Sequence, residues 1–268
     1  MSETLEGLVV KANSGDKKAL EKILVEIQDL VYNLSIKMLL FREDANDATQ
    51  EILIKIVTHL STFNHQSQFK TWVYRIATNY LLTQKGKKSK EYSVSFDEYA
   101  NQIDAGLSDN VNYTQNEGEI ALLEKEVMFG CTQGLLLCLN EEDRMIYIMS
   151  VVLEFNSTEA SKILDITPEN FRKKLSRSKT KIKNFMSNKC GLVNKNNPCR
   201  CKRKIDFLID NKIMNPNNLM EEKYYHRTID FTDKIGDLQK TMAIYQTAPK
   251  MPAPDTILKE MKKALRLN

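Results

Sequence analysis

The residues best suited to recognition chemistry lie between Ser157 and Lys183. Ser157-Thr158-Glu159-Ala160-Ser161-Lys162-Ile163-Leu164 predicts a short helix opened by a serine cap. Asp165-Ile166-Thr167 predicts a tight turn, with Thr167 as cap and Pro168 as first residue of a second helix. In that second helix Phe171, Leu175, Ser178 and Ile182 share one face and can pack inward. Glu169, Asn170, Arg172, Lys173, Lys174, Arg177, Lys179 and Lys181 project around the rest. A short helix, a turn and a basic helix form a helix-turn-helix pattern. Its cations suit phosphates, and the residues near the helix start suit base edges in a major groove. Asp165 stands where such turns often carry Gly, and Asp tolerates a left-handed backbone better than most residues. The plainer reading, a solvated lysine-rich helix, leaves the short helix and turn unexplained.

Three further constellations flank it, two before and one after. Asp44, Asp47, Gln50 and Glu51 place an acidic, hydrogen-bonding face on one helix, suited to a basic partner helix. Taken alone they also fit an ordinary acidic helix start. Trp72, Tyr74 and Tyr80 beside Arg75 and Asn79 can stack on unpaired bases, while Lys85, Lys87 and Lys88 take phosphates. An aromatic stripe is more often core, and Trp72 and Ile76 are expected to be partly buried. Cys190, Cys199 and Cys201 are candidate zinc ligands, with His226 a distant fourth. Their Cys-x8-Cys-x-Cys spacing lacks the paired Cys-x2-Cys of ribbon sites, so a reduced structural or redox cluster with no metal is the plainer alternative. No other cofactor is suggested. There is no phosphate-binding Gly loop, and His59, His65 and His226 form no metal motif, so the chain reads as a non-enzyme without a small-molecule substrate.

The elements that position these groups are helical. Apolar residues recur at three- and four-residue steps in Ala19–Leu40 (Leu20, Ile23, Leu24, Ile27, Leu30, Val31, Leu34, Met38), and helices follow over Glu43–His59 and Phe69–Gln84. Further helices are expected over Ile120–Cys138, Glu141–Leu153, Ser157–Leu164, from Pro168 to Asn188, and near Pro254–Leu267. Residues 86–118, rich in Asn, Asp, Ser and Gln, read as a linker with little periodicity. This gives an all-α chain of two helical domains, 1–88 and 119–188, joined by a flexible linker, 89–118, with a helical, Cys-containing C-terminal extension, 189–268. The formal net charge of +4 over 268 residues conceals a neutral stretch to residue 85, −5 over 86–139 and +8 over 140–204. That asymmetry points to a nucleic-acid partner. Five Cys, an odd number, argue for a reducing cytoplasm, and no apolar run approaches a membrane span or a secretory signal.

Three segments carry a specific resemblance. Glu43-Asp44-Ala45-Asn46-Asp47-Ala48-Thr49-Gln50-Glu51 resembles the core-polymerase-binding helix of bacterial sigma factors. Phe69-Lys70-Thr71-Trp72-Val73-Tyr74-Arg75-Ile76-Ala77-Thr78-Asn79 resembles their promoter-melting helix, and Glu159–Ile182 their helix-turn-helix. They stand in the family's order across about 20–188, most similar to the small extracytoplasmic-function group. After Asn79 the family commonly has Asp and Arg, where this chain has Tyr80 and Leu81. The resemblance implies a transcription initiation factor whose first domain binds core RNA polymerase and melts the downstream (-10) element, and whose second reads the upstream (-35) element. Core polymerase and promoter DNA are then the partners, an anti-sigma factor a further candidate, and no membrane is involved. The tail, with its Cys199-x-Cys201 element and a terminal helix that follows Pro252-x-Pro254, resembles an extension of some small sigma factors; the resemblance assigns it no activity, and a sensory or partner-binding role is the expectation. Two other readings stay open: a stand-alone helix-turn-helix regulator, and a metal- or redox-sensing protein acting through its Cys tail.

Overall fold

In a computed structural model the described residues are 3–83, 93–219 and 236–267. Lys85, Lys87, Lys88 and His226 lie outside them. The α-helices of the described residues are α1 (Leu5–Asn13), α2 (Lys17–Leu39), α3 (Arg42–Thr58), α4 (Phe69–Thr83), α5 (Phe96–Asp104) and α6 (Glu117–Leu136), then α7 (Glu141–Tyr147), α8 (Ser157–Leu164), α9 (Pro168–Lys189), α10 (Ile205–Asp210), α11 (Asp237–Gln246) and α12 (Asp255–Leu265). No strand longer than an isolated bridge, Cys190 with Cys199, occurs among them. The helical periodicity of the sequence is therefore borne out.

The chain divides into two compact units, and neither is one continuous stretch. The first holds 1–91, 156–168 and 251–268, and the second 92–155 and 169–250. These boundaries differ from the sequence expectation: α8 groups with the first unit, and the extension is shared between both.

In the first unit Asp16 caps α2 by accepting the Lys18 and Ala19 N–H groups at 2.9 and 3.1 Å. The expected stripe of α2 is buried at Ile23, Leu24, Ile27, Val31, Leu34 and Met38. Leu40, at φ 68°, ends α2 in a conformation rare for a non-glycine residue and lets α3 fold back on it. Glu6 in α1 accepts the Phe69 N–H at 2.9 Å and so caps α4 from outside. Phe69, Val73, Ala77 and Leu81 of α4 join Ile52, Leu53 and Ile56 of α3 in the core.

In the second unit the expected linker contains a helix. Ser95 and Glu98 form a capping box on α5, so polar residues that read as disorder are cap residues. Only Tyr99 and Ile103 of α5 are buried, too few to register as periodicity in the sequence. The Tyr99 hydroxyl donates to the Cys131 carbonyl at 2.7 Å. A Cβ on Gly134 would sit 2.6 Å from the Tyr99 oxygen, so a glycine there lets α5 approach α6. The extension supplies Ile205 and Met214 to a cluster with Val111, Ile120, Leu123 and Val127. Tyr245 of α11 is buried, edge-on to Tyr147 at 5.0 Å, with its hydroxyl donating to the Thr132 carbonyl at 3.1 Å. The helix expected over Glu141–Leu153 is split between α7 and a π-helical turn, Ile148–Val152.

Candidate nucleic-acid interface

Helices α3 and α4 enclose a cleft of about 320 Å³ lined by Lys55, His59, Trp72, Ile76, Asn79 and Tyr80 among others. Trp72 is half-buried, as expected, because Phe69 stacks on it at 5.5 Å and Phe63 leans against it at 5.7 Å. These two buried rings hold the indole in place and leave its remaining surface to the cleft. Asn79 is exposed, and the Lys55 ammonium lies 5.9 Å above the Tyr80 ring. His59 Nδ1 lies 2.8 Å from the Lys55 carbonyl, an acceptor, which calls for a proton on Nδ1 and turns Nε2 away from that contact. A cleft lined by aromatic rings together with amide, imidazole and ammonium groups suits an unstacked nucleobase and its phosphate. Sequence reasoning missed Lys55 and His59. Their i, i+4 spacing on the α3 side that meets α4 was the available signal.

Tyr74 belongs to another face: burial pushes its phenol up to about 12, so it remains a neutral O–H group. Arg75 is exposed and donates to the Lys162 carbonyl at 2.7 Å, where α8 packs on α4. On the outer side of α3, Asp47 and Glu51 are exposed, while Asp44 and Gln50 are half-buried. Asp47 and Glu51 thus face solvent, and Gln50 already has a partner, Glu260 of α12, to which its Nε2 donates.

The local geometry of the helix-turn-helix segment follows its sequence. Asn156, one residue before the expected serine, caps α8 by accepting the Thr158 and Glu159 N–H groups at 3.0 and 2.9 Å. Asp165 ends α8 in the left-handed region at φ 53°, and the Ile166 N–H returns to the Ser161 carbonyl at 3.1 Å. In α9, Phe171, Ser178 and Ile182 are buried as expected and Leu175 is half-buried. Glu169, Asn170, Arg172, Lys173, Arg177 and Lys181 form an exposed stripe. Lys174 and Lys179 lie off it. Lys174 is ion-paired with Glu142 at 2.6 Å, and desolvation lowers the Lys179 pKa.

The cysteines are half-buried, free thiols. Cys131 of α6 is a neighbour of Cys190, Cys199 and Cys201, a grouping that sequence spacing did not reveal. Burial pushes Cys131 up to about 12 and Cys199 to about 11, and raises Cys190 and Cys201 as well. The groups are thus protonated and poor nucleophiles. Among the described residues no three His, Cys, Asp or Glu side chains converge as metal ligands, and His226 lies outside those residues. The basic run Lys202-Arg203-Lys204 has structural duties. Lys204 is buried, donates to the Gln102 carbonyl at 3.0 Å and to that of Ala105 at the end of α5, and Arg203 pairs with Asp109 at 2.9 Å. No described helix is long and apolar enough to cross a membrane.

Comparison with known proteins bears on the same segments. The family described as Sigma-70 region 2 matches residues 24–91, and Sigma-70, region 4 matches residues 129–182. The sigma-E factor of Haemophilus influenzae, an ECF RNA polymerase sigma factor, is 30% identical over 191 residues, covering 69% of this chain and 97% of its own. SigW of Bacillus subtilis, an ECF RNA polymerase sigma factor, is 25% identical over 187 residues, 68% of this chain and 97% of its own. Escherichia coli sigma-E is 28% identical over 192 residues, 69% of this chain and 96% of its own. Among solved structures, the sigma factor RpoE of Bartonella quintana, in complex with the anti-sigma factor NepR, covers 63% of this chain and 98% of its own at TM-score 0.44 and 16% identity.

Proposed function

The chain belongs to the extracytoplasmic-function sigma factors of the sigma-70 family, and from that premise we propose how its residues divide the work of directing core RNA polymerase to a promoter. The outer face of α3, with Asp44, Asp47, Gln50 and Glu51, docks on a basic helix of the polymerase. The cleft between α3 and α4 receives a base of the opened downstream element, which stacks on Trp72. Asn79 and His59 bond its edge, and Lys55 neutralises a neighbouring phosphate. Arg75 reaches DNA once it releases the Lys162 carbonyl. The exposed stripe of α9 enters the major groove of the upstream element, with Glu169, Asn170 and Lys173 nearest the bases and Arg172, Arg177 and Lys181 on phosphates. Lys174 and Lys179 are left to support the helix rather than to touch DNA. The chain performs no bond chemistry, which belongs to the polymerase. It works beside the polymerase in the cytoplasm without a cofactor of its own, and an anti-sigma factor is a further candidate partner.

The observation that carries this reading is the presence, in one unit, of the exposed carboxylates Asp47 and Glu51 on α3 and an aromatic cleft between α3 and α4. Run-off transcription with core polymerase on a pool of genomic promoters tests it. Promoter-specific transcripts are expected, and transcription no higher than that of core polymerase alone would overturn it.

A further inference from the structure

The segment after Lys250 lies outside the stretches that match the two sigma-70 regions, yet it packs in the unit that carries the docking helix. Helix α12 lies on α2 and α3 and turns Ile257 and Met261 inward, with 0% and 2% exposure. Polar contacts fix its register. Asn33 of α2 donates through Nδ2 to the Met251 carbonyl at 2.6 Å and accepts the Met251 N–H at Oδ1 at 2.8 Å. The Ala253 N–H is taken by Asp29 at 2.8 Å, and Lys17 donates to the Arg266 carbonyl at 3.2 Å. Lys262 pairs with Glu21, and Glu260 accepts from Gln50, one of the four docking residues. A side-chain amide that holds the N–H and C=O of one residue together specifies where the chain must lie, as a strand partner would.

We propose that Met251–Leu267 is an intramolecular cover over part of the polymerase-docking surface, and that core polymerase displaces it on binding. This rests on the reading of α3 as the docking helix. Helix α12 is amphipathic: its apolar side faces inward, Glu260 meets the α3 face at Gln50, and Lys262 pairs with Glu21 of α2. It reaches Gln50 and leaves Asp47 and Glu51 exposed, so polymerase can begin to dock on those carboxylates before the cover lifts.

Equilibrium binding of core RNA polymerase to the full-length chain and to a full-length Ile257→Glu/Met261→Glu variant tests the cover. A cover in place about nine-tenths of the time reduces apparent affinity about tenfold, so the variant should bind about tenfold more tightly. Equal or weaker binding overturns the proposal. Hydrogen exchange on the unaltered chain is a second test that no folding defect can confound. Amides of 255–265 should lose protection when polymerase is added, and protection that persists or rises overturns the cover. Adding Asp47→Lys/Glu51→Lys to the variant separates the two readings. Intact binding there refutes α3 as the docking helix and the cover with it. Lost binding upholds α3 as the docking helix, and the cover then stands or falls on the affinity ratio and the exchange result.

Discussion

Asn33→Ala probes the seat of the C-terminal segment most directly. Asn33 is only 8% exposed and lies inside α2, where asparagine is a mediocre helix former and a polar amide is costly unless fully bonded. The alanine removes both hydrogen bonds to Met251, made at 2.6 and 2.8 Å, and leaves a buried N–H and a buried C=O without those partners. Each orphaned group costs about 1–3 kcal/mol while it stays buried. The pair therefore asks about 2–6 kcal/mol of the docked segment. That cost has a ceiling, because undocking returns both groups to water, so it should appear mainly as local opening of the segment. Beside it stands a separate cost within α2, where the buried Lys37 ammonium loses the Asn33 Oδ1 to which it donates at 3.2 Å. Even the lower figure, about 2 kcal/mol, reduces the docked-to-undocked ratio roughly 30-fold. Amide exchange followed by mass spectrometry should show 251–265 losing nearly all the protection that docking gives, with a much smaller change in α2. Protection of 251–265 within about threefold of the parent would refute the argument that the Asn33 pairing holds the segment.

Three other outcomes follow from the geometry. Glu6→Gln should destabilise the first unit by about 1 kcal/mol through loss of the charged cap on α4. The Phe69 N–H holds the Glu6 carboxyl below its ordinary value, so its contribution is complete above the usual carboxylate range and lost as pH falls through the lowered pKa; denaturant melts should show a shallower acid limb in the variant. Arg172→Glu/Lys173→Glu should abolish selection of the upstream element while core-polymerase binding stays unchanged, and in holoenzyme–promoter binding the salt slope should fall by about 1 for each phosphate contact removed; unchanged promoter choice would place the groove-reading face elsewhere. Trp72→Ala should slow promoter opening by the equivalent of about 1–3 kcal/mol, and Trp72→Phe should restore most of it, as read by permanganate footprinting of unpaired thymines. Equal opening by all three chains would mean that the indole is only core.

The +8 balance of residues 140–204 illustrates how charge must be divided by structure before it is read as function. Arg172, Lys173, Arg177 and Lys181 are solvent-facing. Lys174 is paired with Glu142, Lys204 is buried against the end of α5, and Arg203 is tied to Asp109. Fewer cations remain for nucleic acid than the composition advertises, and they concentrate on one stripe of one helix.

Local interactions wrote themselves legibly into the chain. The stripe of α2, the left-handed Asp165 turn, the proline that opens α9 and its inward Phe171, Ser178 and Ile182 depend on residues within two turns of one another, so spacing alone discloses them. The acidic stripe of α3 and the aromatic face of α4 were readable for the same reason. What spacing did not disclose arises between residues far apart in the chain. Lys55 and His59 join Trp72 and Asn79 only where α3 packs on α4; Cys131 meets the tail cysteines only in the second unit; α5 is stable because Tyr99 finds Cys131 and Gly134. The largest such effect is the division of the extension, with Tyr245 in one unit and Met251 in the other. An eleven-residue amphipathic helix such as α12 carries its apolar stripe in its own sequence, but marginal helicity in isolation and the absence of any local partner mean that its seat is chosen by Asn33, more than two hundred residues earlier.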